Sequence, residues 1–153
     1  MTNGNGFKLI RAARIIDGTG AAPLERGAVL LEGDAIVAVG TEESVVAPEG
    51  AQVQEFDYPD KTLLPGLVDC HVHLIGLADG RKGDELAPLP DEVLTLQAAR
   101  NARAHLYSGV TTVRDCGAKN RTTFMLREAV RMGITPAPRL VLSGRPMAII
   151  GGH

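Results

Sequence analysis

The chain has 153 residues, with 16 Lys+Arg against 18 Asp+Glu, 44% hydrophobic and 22% charged residues, which is ordinary globular composition. The near-neutral balance lacks the Lys/Arg surplus that a phosphate backbone demands, which argues against nucleic acid as a main partner. No run approaches the ~18 apolar residues of a membrane helix, the polar start Met1–Gly6 has no secretion-signal build, and two cysteines make no disulfide framework, so a cytoplasmic protein with free thiols is expected.

Up to about Leu64 the chain reads as short strands with turns. Phe7–Ile16 is apolar and β-branched, and Asp17-Gly18-Thr19-Gly20 ends it. Ala28–Glu32, then Gly33-Asp34, then Ala35–Val39 is a hairpin signature, because Gly-X as a two-residue loop suits a II′ turn. Gly40 closes that second strand, and Gln52–Phe56 is a further short one. A small all-β unit of about four strands is expected, with edges that need covering.

After Pro65-Gly66 strands alternate with helices. Leu67–His73 is a strand, followed by a polar loop from Ile75 to Pro90, read either as a lid or as a solvated loop. Asp91 is the expected N-cap of a helix whose Leu94, Ala98, Ala102 and Leu106 recur every fourth residue. His105 reads as a dipole or surface residue late in that helix. Gly109 stands where a C′ glycine belongs, and Val110–Asp115 is a strand. Thr122 or Asn120 caps a second helix stopped by Gly133, and Arg139–Ser143 is a third strand. The β-α-β-α-β order implies a parallel sheet, open or closed.

The chemistry is concentrated at His71 and His73. Side chains two apart on a strand share a face, so both imidazoles can approach one ion. Asp69 shares that parity, while Cys70 and Val72 point the other way. The pair ends its strand on the side where parallel α/β folds build their sites. An His-x-His also arises by chance, and a metal site normally has at least three protein ligands.

The segment Leu63-Leu64-Pro65-Gly66-Leu67-Val68-Asp69-Cys70-His71-Val72-His73-Leu74 resembles the first barrel strand of the amidohydrolase superfamily. Ala13–Gly20 with Gly33–Gly40 is similar to the N-terminal β-sandwich of those enzymes, and Gly109–Gly117 to their second strand. Imidazolonepropionase-like and Xaa-Pro-dipeptidase-like enzymes are the branch it looks most like. The resemblance implies an α/β fold: the first three β/α units of a (β/α)8 TIM-type barrel over residues 65–153, preceded by part of a small β-sandwich domain over residues 1–64. It implies that His71 and His73 are metal ligands for a divalent transition metal, foremost zinc, as one or two ions. The remaining ligands, a carboxylated lysine among them, and the general base would come from later strands, so no catalytic residue is assigned within this chain. The implied reaction is hydrolysis of an amide or peptide C–N bond in a small amide or dipeptide-like substrate by metal-activated water.

By that resemblance His153, after two glycines, contacts substrate, unless it is only the last residue of a cut chain. Asp115 orients a ligand histidine or else caps the following loop. Asp69 makes structural hydrogen bonds, and Cys70 and Cys116 are buried free thiols rather than a bridge. A barrel needs eight strands. The expectation is therefore the N-terminal part of a longer or assembled enzyme, inactive alone, a homo-oligomer, with the other strands supplied in cis or in trans. The alternatives are a deaminase or a cyclic-amide, ester or carbamate hydrolase on the same scaffold, or a non-catalytic fragment or partner-dependent subunit.

Overall fold

The computed structural model describes residues 6–77, 79, 83–147 and 149–150. The chain divides into two compact units, Met1–Pro65 and Gly66–His153. Among the described residues, no helix is long and apolar enough to cross a membrane.

The first unit is one four-stranded sheet in the order β3-β2-β1-β4, built from β1 (Phe7–Ile15), β2 (Leu24–Glu32), β3 (Ala35–Thr41) and β4 (Val53–Leu63). The β2–β3 hairpin closes with Glu32 opposite Ala35. Gly33 has φ +60° and Asp34 does not share the positive sign, which is the II′ arrangement rather than I′. Leu9, Ala28, Leu30 and Val45 form one small core, and Ala12, Ile15 and Val29 another.

The fourth strand is longer than its sequence suggests. It runs from Val53 to Leu63, through Pro59, in parallel with β1. Proline lacks the N–H a ladder needs, so it belongs at an edge or a bulge. Both conditions hold: β4 is an edge strand, and its register jumps between Tyr58, opposite Ala12, and Thr62, opposite Arg14.

The second unit is a three-stranded parallel sheet, β5 (Leu67–Val72), β6 (Val110–Asp115) and β7 (Arg139–Leu142), in that order. Helices α1 (Asp91–Tyr107) and α2 (Thr122–Arg131) link the strands, and a 3₁₀ turn spans Gly83–Leu86. Leu94, Ala98 and Ala102 of α1 and Leu126 of α2 are fully buried with Val72, Leu74, Val113 and Leu86. Leu106, the last of the expected stripe, is only half-buried. Ile75 and Leu86 are buried parts of the expected polar loop, so those parts of it are core rather than solvated; residues 78 and 80–82 of that loop lie outside the described residues.

The helix starts differ from expectation. Pro90, not Asp91, is the N-cap of α1, and its carbonyl accepts the Leu94 N–H. The Asp91 carboxylate is drawn away by Asn120, whose Nδ2 donates to both oxygens at 2.9 and 3.1 Å, and by Lys119 Nζ at 3.3 Å. Arg121, not Thr122 or Asn120, caps α2. The Thr122 hydroxyl instead donates to the Lys119 carbonyl at 2.8 Å.

Gly66 is required where the second unit begins. A Cβ there would lie 2.1 Å from Thr111 Oγ1 and 2.2 Å from its Cγ2. Gly66→Ala should destabilise by about 1–3 kcal/mol in urea unfolding. Thr111→Ala in the same chain removes those two atoms and should recover part of the loss; an unchanged midpoint in the single variant would refute the contact.

The Asp91 link makes a pH-dependent prediction. The Asn120 hydrogen bond, then Lys119, holds the Asp91 carboxyl below its ordinary value. A depressed carboxyl stabilises above its unfolded pKa of about 4 and loses that contribution as pH falls through the folded value. Asp91→Asn should lower the Tm at pH 7, and the gap to the parent should close as the pH drops below about 4.

Candidate metal centre

The register of β5 decides which side chains meet. Asp69 pairs with Val113 and Val72 with Asp115, so three steps along β5 match two along β6. One residue is extra, which is a β-bulge. Paired residues share a face. Val113 and Asp115 both point into the helix-covered side and are fully buried. Asp69 and Val72 therefore belong to that side, and Cys70 and His71 between them face the open side, as does His73 after Val72.

The alternation expected for this strand is corrected accordingly. Asp69 does not share the histidines' face, and Cys70 does. Exposure agrees: Cys70, His71 and His73 are exposed, whereas Val72 is buried. Asp69 has a local task, because its Oδ1 accepts the His71 N–H at 3.0 Å, an amide that the bulge takes out of the ladder.

The two imidazoles stand edge to face with ring centres 5.4 Å apart. His73 Nδ1 lies 3.0 Å from the Gly117 carbonyl oxygen. A carbonyl only accepts, so Nδ1 carries a proton, and in the neutral ring Nε2 is the nitrogen with the lone pair. That is the way a metal-ligating histidine is ordinarily held. The His71 ring nitrogens have no hydrogen-bond partner among the described residues.

The donor set fits a divalent transition ion in part. Two imidazoles at about 2.0–2.1 Å from one ion place their ring centres roughly 5 Å apart, near the separation observed. Among the described residues no group of three or more His, Cys, Asp or Glu is placed to complete a site. His71 and His73 thus offer two donors, fewer than the three or more protein ligands a metal site ordinarily has.

Asp115 sits beneath the pair and does not touch the His73 ring by a hydrogen bond. Its Oδ1 accepts the Leu74 N–H at 3.0 Å. Among the described residues its Oδ2 and the neighbouring Thr123 hydroxyl are both buried and make no well-formed hydrogen bond. Burial pushes its carboxyl above the ordinary value, against the opposing pulls of the Leu74 N–H and of the nearby Thr123 hydroxyl.

The cysteines are free, as expected, but not buried: Cys70 is exposed and Cys116 half-buried. Arg114 Nε donates to Cys116 Sγ at 3.4 Å, which holds the guanidinium pKa up. His105 Nδ1 bonds the Asn101 carbonyl one turn back in α1. His153 lies outside the described residues.

Two contributors have no signal in a search for ligand types. One is the Gly117 main-chain carbonyl. The other is Asn101, whose Nδ2 donates to the Leu74 carbonyl at 2.8 Å and the Gly76 carbonyl at 2.6 Å. Asn101 was findable as a polar residue set three places after buried Ala98, on the inner side of α1.

The dihydroorotase of Streptomyces coelicolor is 47% identical over 66 residues, 43% of this chain and 13% of that protein. The imidazolonepropionase of Mesorhizobium japonicum is 35% identical over 66 residues, 42% of this chain and 16% of that protein. The crystal structure of a Xaa-Pro dipeptidase with methionine bound in its active site superposes with a TM-score of 0.79 at 28% identity, over 97% of this chain and 36% of that one. The chain therefore spans about a third of the dipeptidase and a smaller share of the two curated relatives. The family model described as the amidohydrolase family matches residues 62–150, through all three parallel strands and more than half of the sequence, and the chain belongs to that family.

Proposed function

We propose that this chain contributes two metal ligands, His71 and His73, to a metal-dependent hydrolase of amide or peptide-type C–N bonds. Residues 65–153 would supply the first three β/α units of a (β/α)8 barrel, and residues 1–64 part of a β-sandwich. The observation that carries the reading is the histidine pair itself: neighbouring rings at the C-terminal end of a parallel strand, one fixed by a main-chain carbonyl so that its Nε2 is free.

When bound there, a divalent ion, zinc foremost and as one or two ions, polarises a carbonyl and brings the pKa of water toward neutrality. The chain's own residues hold and orient. Asp69 fixes the main chain at His71. Gly117 fixes the tautomer of His73. Asp115 is buried on the helix side and Asp69 is engaged with His71, so neither is placed as the general base. That base, and a carboxylated lysine ligand, are assigned to the rest of the proposed barrel. His153 is proposed as a substrate contact.

The names of the relatives favour two substrate classes. The dipeptidase likeness supports a dipeptide with a small amide bond. The dihydroorotase and imidazolonepropionase likenesses support a cyclic amide as the second reading. Turnover of a Xaa-Pro dipeptide, an N-acyl amino acid and a cyclic amide by the full-length protein separates them.

Elemental analysis of the purified full-length protein should find a transition metal, and a chelator should abolish hydrolysis. His71→Ala and His73→Ala should each weaken cobalt(II) binding by more than the roughly 10–100-fold typical of losing an orienting partner. They should cut turnover in parallel while leaving cooperative unfolding intact. Full metal content in both variants would sink the assignment.

A further inference from the structure

Leu74, the residue after the second histidine, is gripped at both ends of its peptide unit. Its N–H donates to Asp115 Oδ1 at 3.0 Å, and its carbonyl accepts from Asn101 Nδ2 at 2.8 Å. Leu74 is 1% exposed and Asp115 fully buried. The neighbouring main-chain groups of β6 are already committed. The Cys116 N–H donates to the Val72 carbonyl at 2.8 Å, and the Gly117 carbonyl takes the His73 ring at 3.0 Å. At this point β5 leaves the sheet, and the Asp115 side chain stands in for the missing ladder acceptor.

Packing alone does not account for a carboxylate here. A buried carboxyl is costly unless its oxygens are paired, and among the described residues Oδ2 makes no well-formed hydrogen bond, although the Thr123 hydroxyl lies beside it. What Asp115 does accomplish is geometric. It fixes the main chain one residue past His73, while Cys116 fixes it one residue before. The His73 ring is thereby held against the Gly117 carbonyl, which belongs to the same three-residue stretch, Asp115-Cys116-Gly117.

We propose that Asp115 is a positioning residue for His73: by holding the Leu74 N–H it keeps the His73 ring in the Nδ1–H form with Nε2 presented to the open face. The significance of this rests on His73 being a metal ligand, but the tautomer is a property of the metal-free protein and can be read without the ion.

The test uses the full-length protein, metal-free and labelled with ¹⁵N-histidine, in long-range ¹H–¹⁵N correlation spectra. In the parent, His73 should be in the Nδ1–H form. Asp115→Ser is too short to reach the Leu74 N–H. It should speed exchange of the Leu74 amide, give His73 a substantial Nε2–H fraction, leave His105 unchanged, and weaken cobalt(II) binding about 10–100-fold. Asp115→Asn keeps an acceptor but a neutral, weaker one, and should fall between the parent and Ser in all three changes. A folded Ser variant with His73 wholly in the Nδ1–H form overturns the proposal. If Ser does not fold, Asn decides: faster Leu74 exchange with an unmoved His73 tautomer overturns it equally. A parent that binds no cobalt defeats the metal reading instead, and leaves the tautomer result standing.

Discussion

One extra residue in β5 sets the direction of every side chain at the candidate centre. Before it, Asp69 lies on the helix side with Val113; after it, Val72 lies there with Asp115. The two residues between, Cys70 and His71, are pushed together onto the open side. Because Val72 and Leu74 are then both buried, the histidines alternate with core residues. Each buried aliphatic side chain is worth about 1.5–3 kcal/mol relative to exposure. The two histidines are therefore mounted on a strand end that hydrophobic burial pins down, which is the rigid support a preformed metal site would need.

Where that strand end leaves the sheet, its polar groups must still be satisfied. From Val72 to Gly76 several main-chain groups find partners outside the ladder. Cys116 serves the Val72 carbonyl, and the His73 carbonyl receives the Gly76 N–H at 2.9 Å. Asp115 and Asn101 serve Leu74, and Asn101 and Gln97 serve the Gly76 carbonyl. Two of these donors, Gln97 and Asn101, come from the inner side of α1. The helix thus does more than cover the sheet: it hydrogen-bonds the loop that carries the chain away from the histidines.

Local patterns told most of the fold. The β2–β3 hairpin, the β-α-β-α-β alternation and the buried stripe of α1 each follow from residues close together in sequence. What escaped depends on partners far along the chain. The parity of Asp69 and Cys70 could not be read from β5 alone, because a register step is a property of two strands. Asp91 looks like a cap until Lys119 and Asn120 are folded against it. Gln52–Phe56 reads as a short strand until β1 supplies the irregular register that carries it on through Pro59. At the centre, His71 and His73 were legible as a spacing, whereas the grip on His73 comes from a backbone carbonyl and from a carboxylate acting through Leu74, and neither leaves a motif.

The open side of the parallel sheet has two shortages, and they coincide. Val68 is 62% exposed and Val141 half exposed on that face, so apolar surface remains to be covered. The same face presents two imidazoles where a structural or catalytic ion takes at least three protein ligands. Strands that closed the proposed barrel over this face would cover Val68 and Val141 in the act of bringing further ligands opposite His71 and His73. A site assembled this way forms only when the sheet closes, so metal affinity and barrel closure become a single equilibrium: the ion stabilises the closed state by as much as closure strengthens the ion's binding.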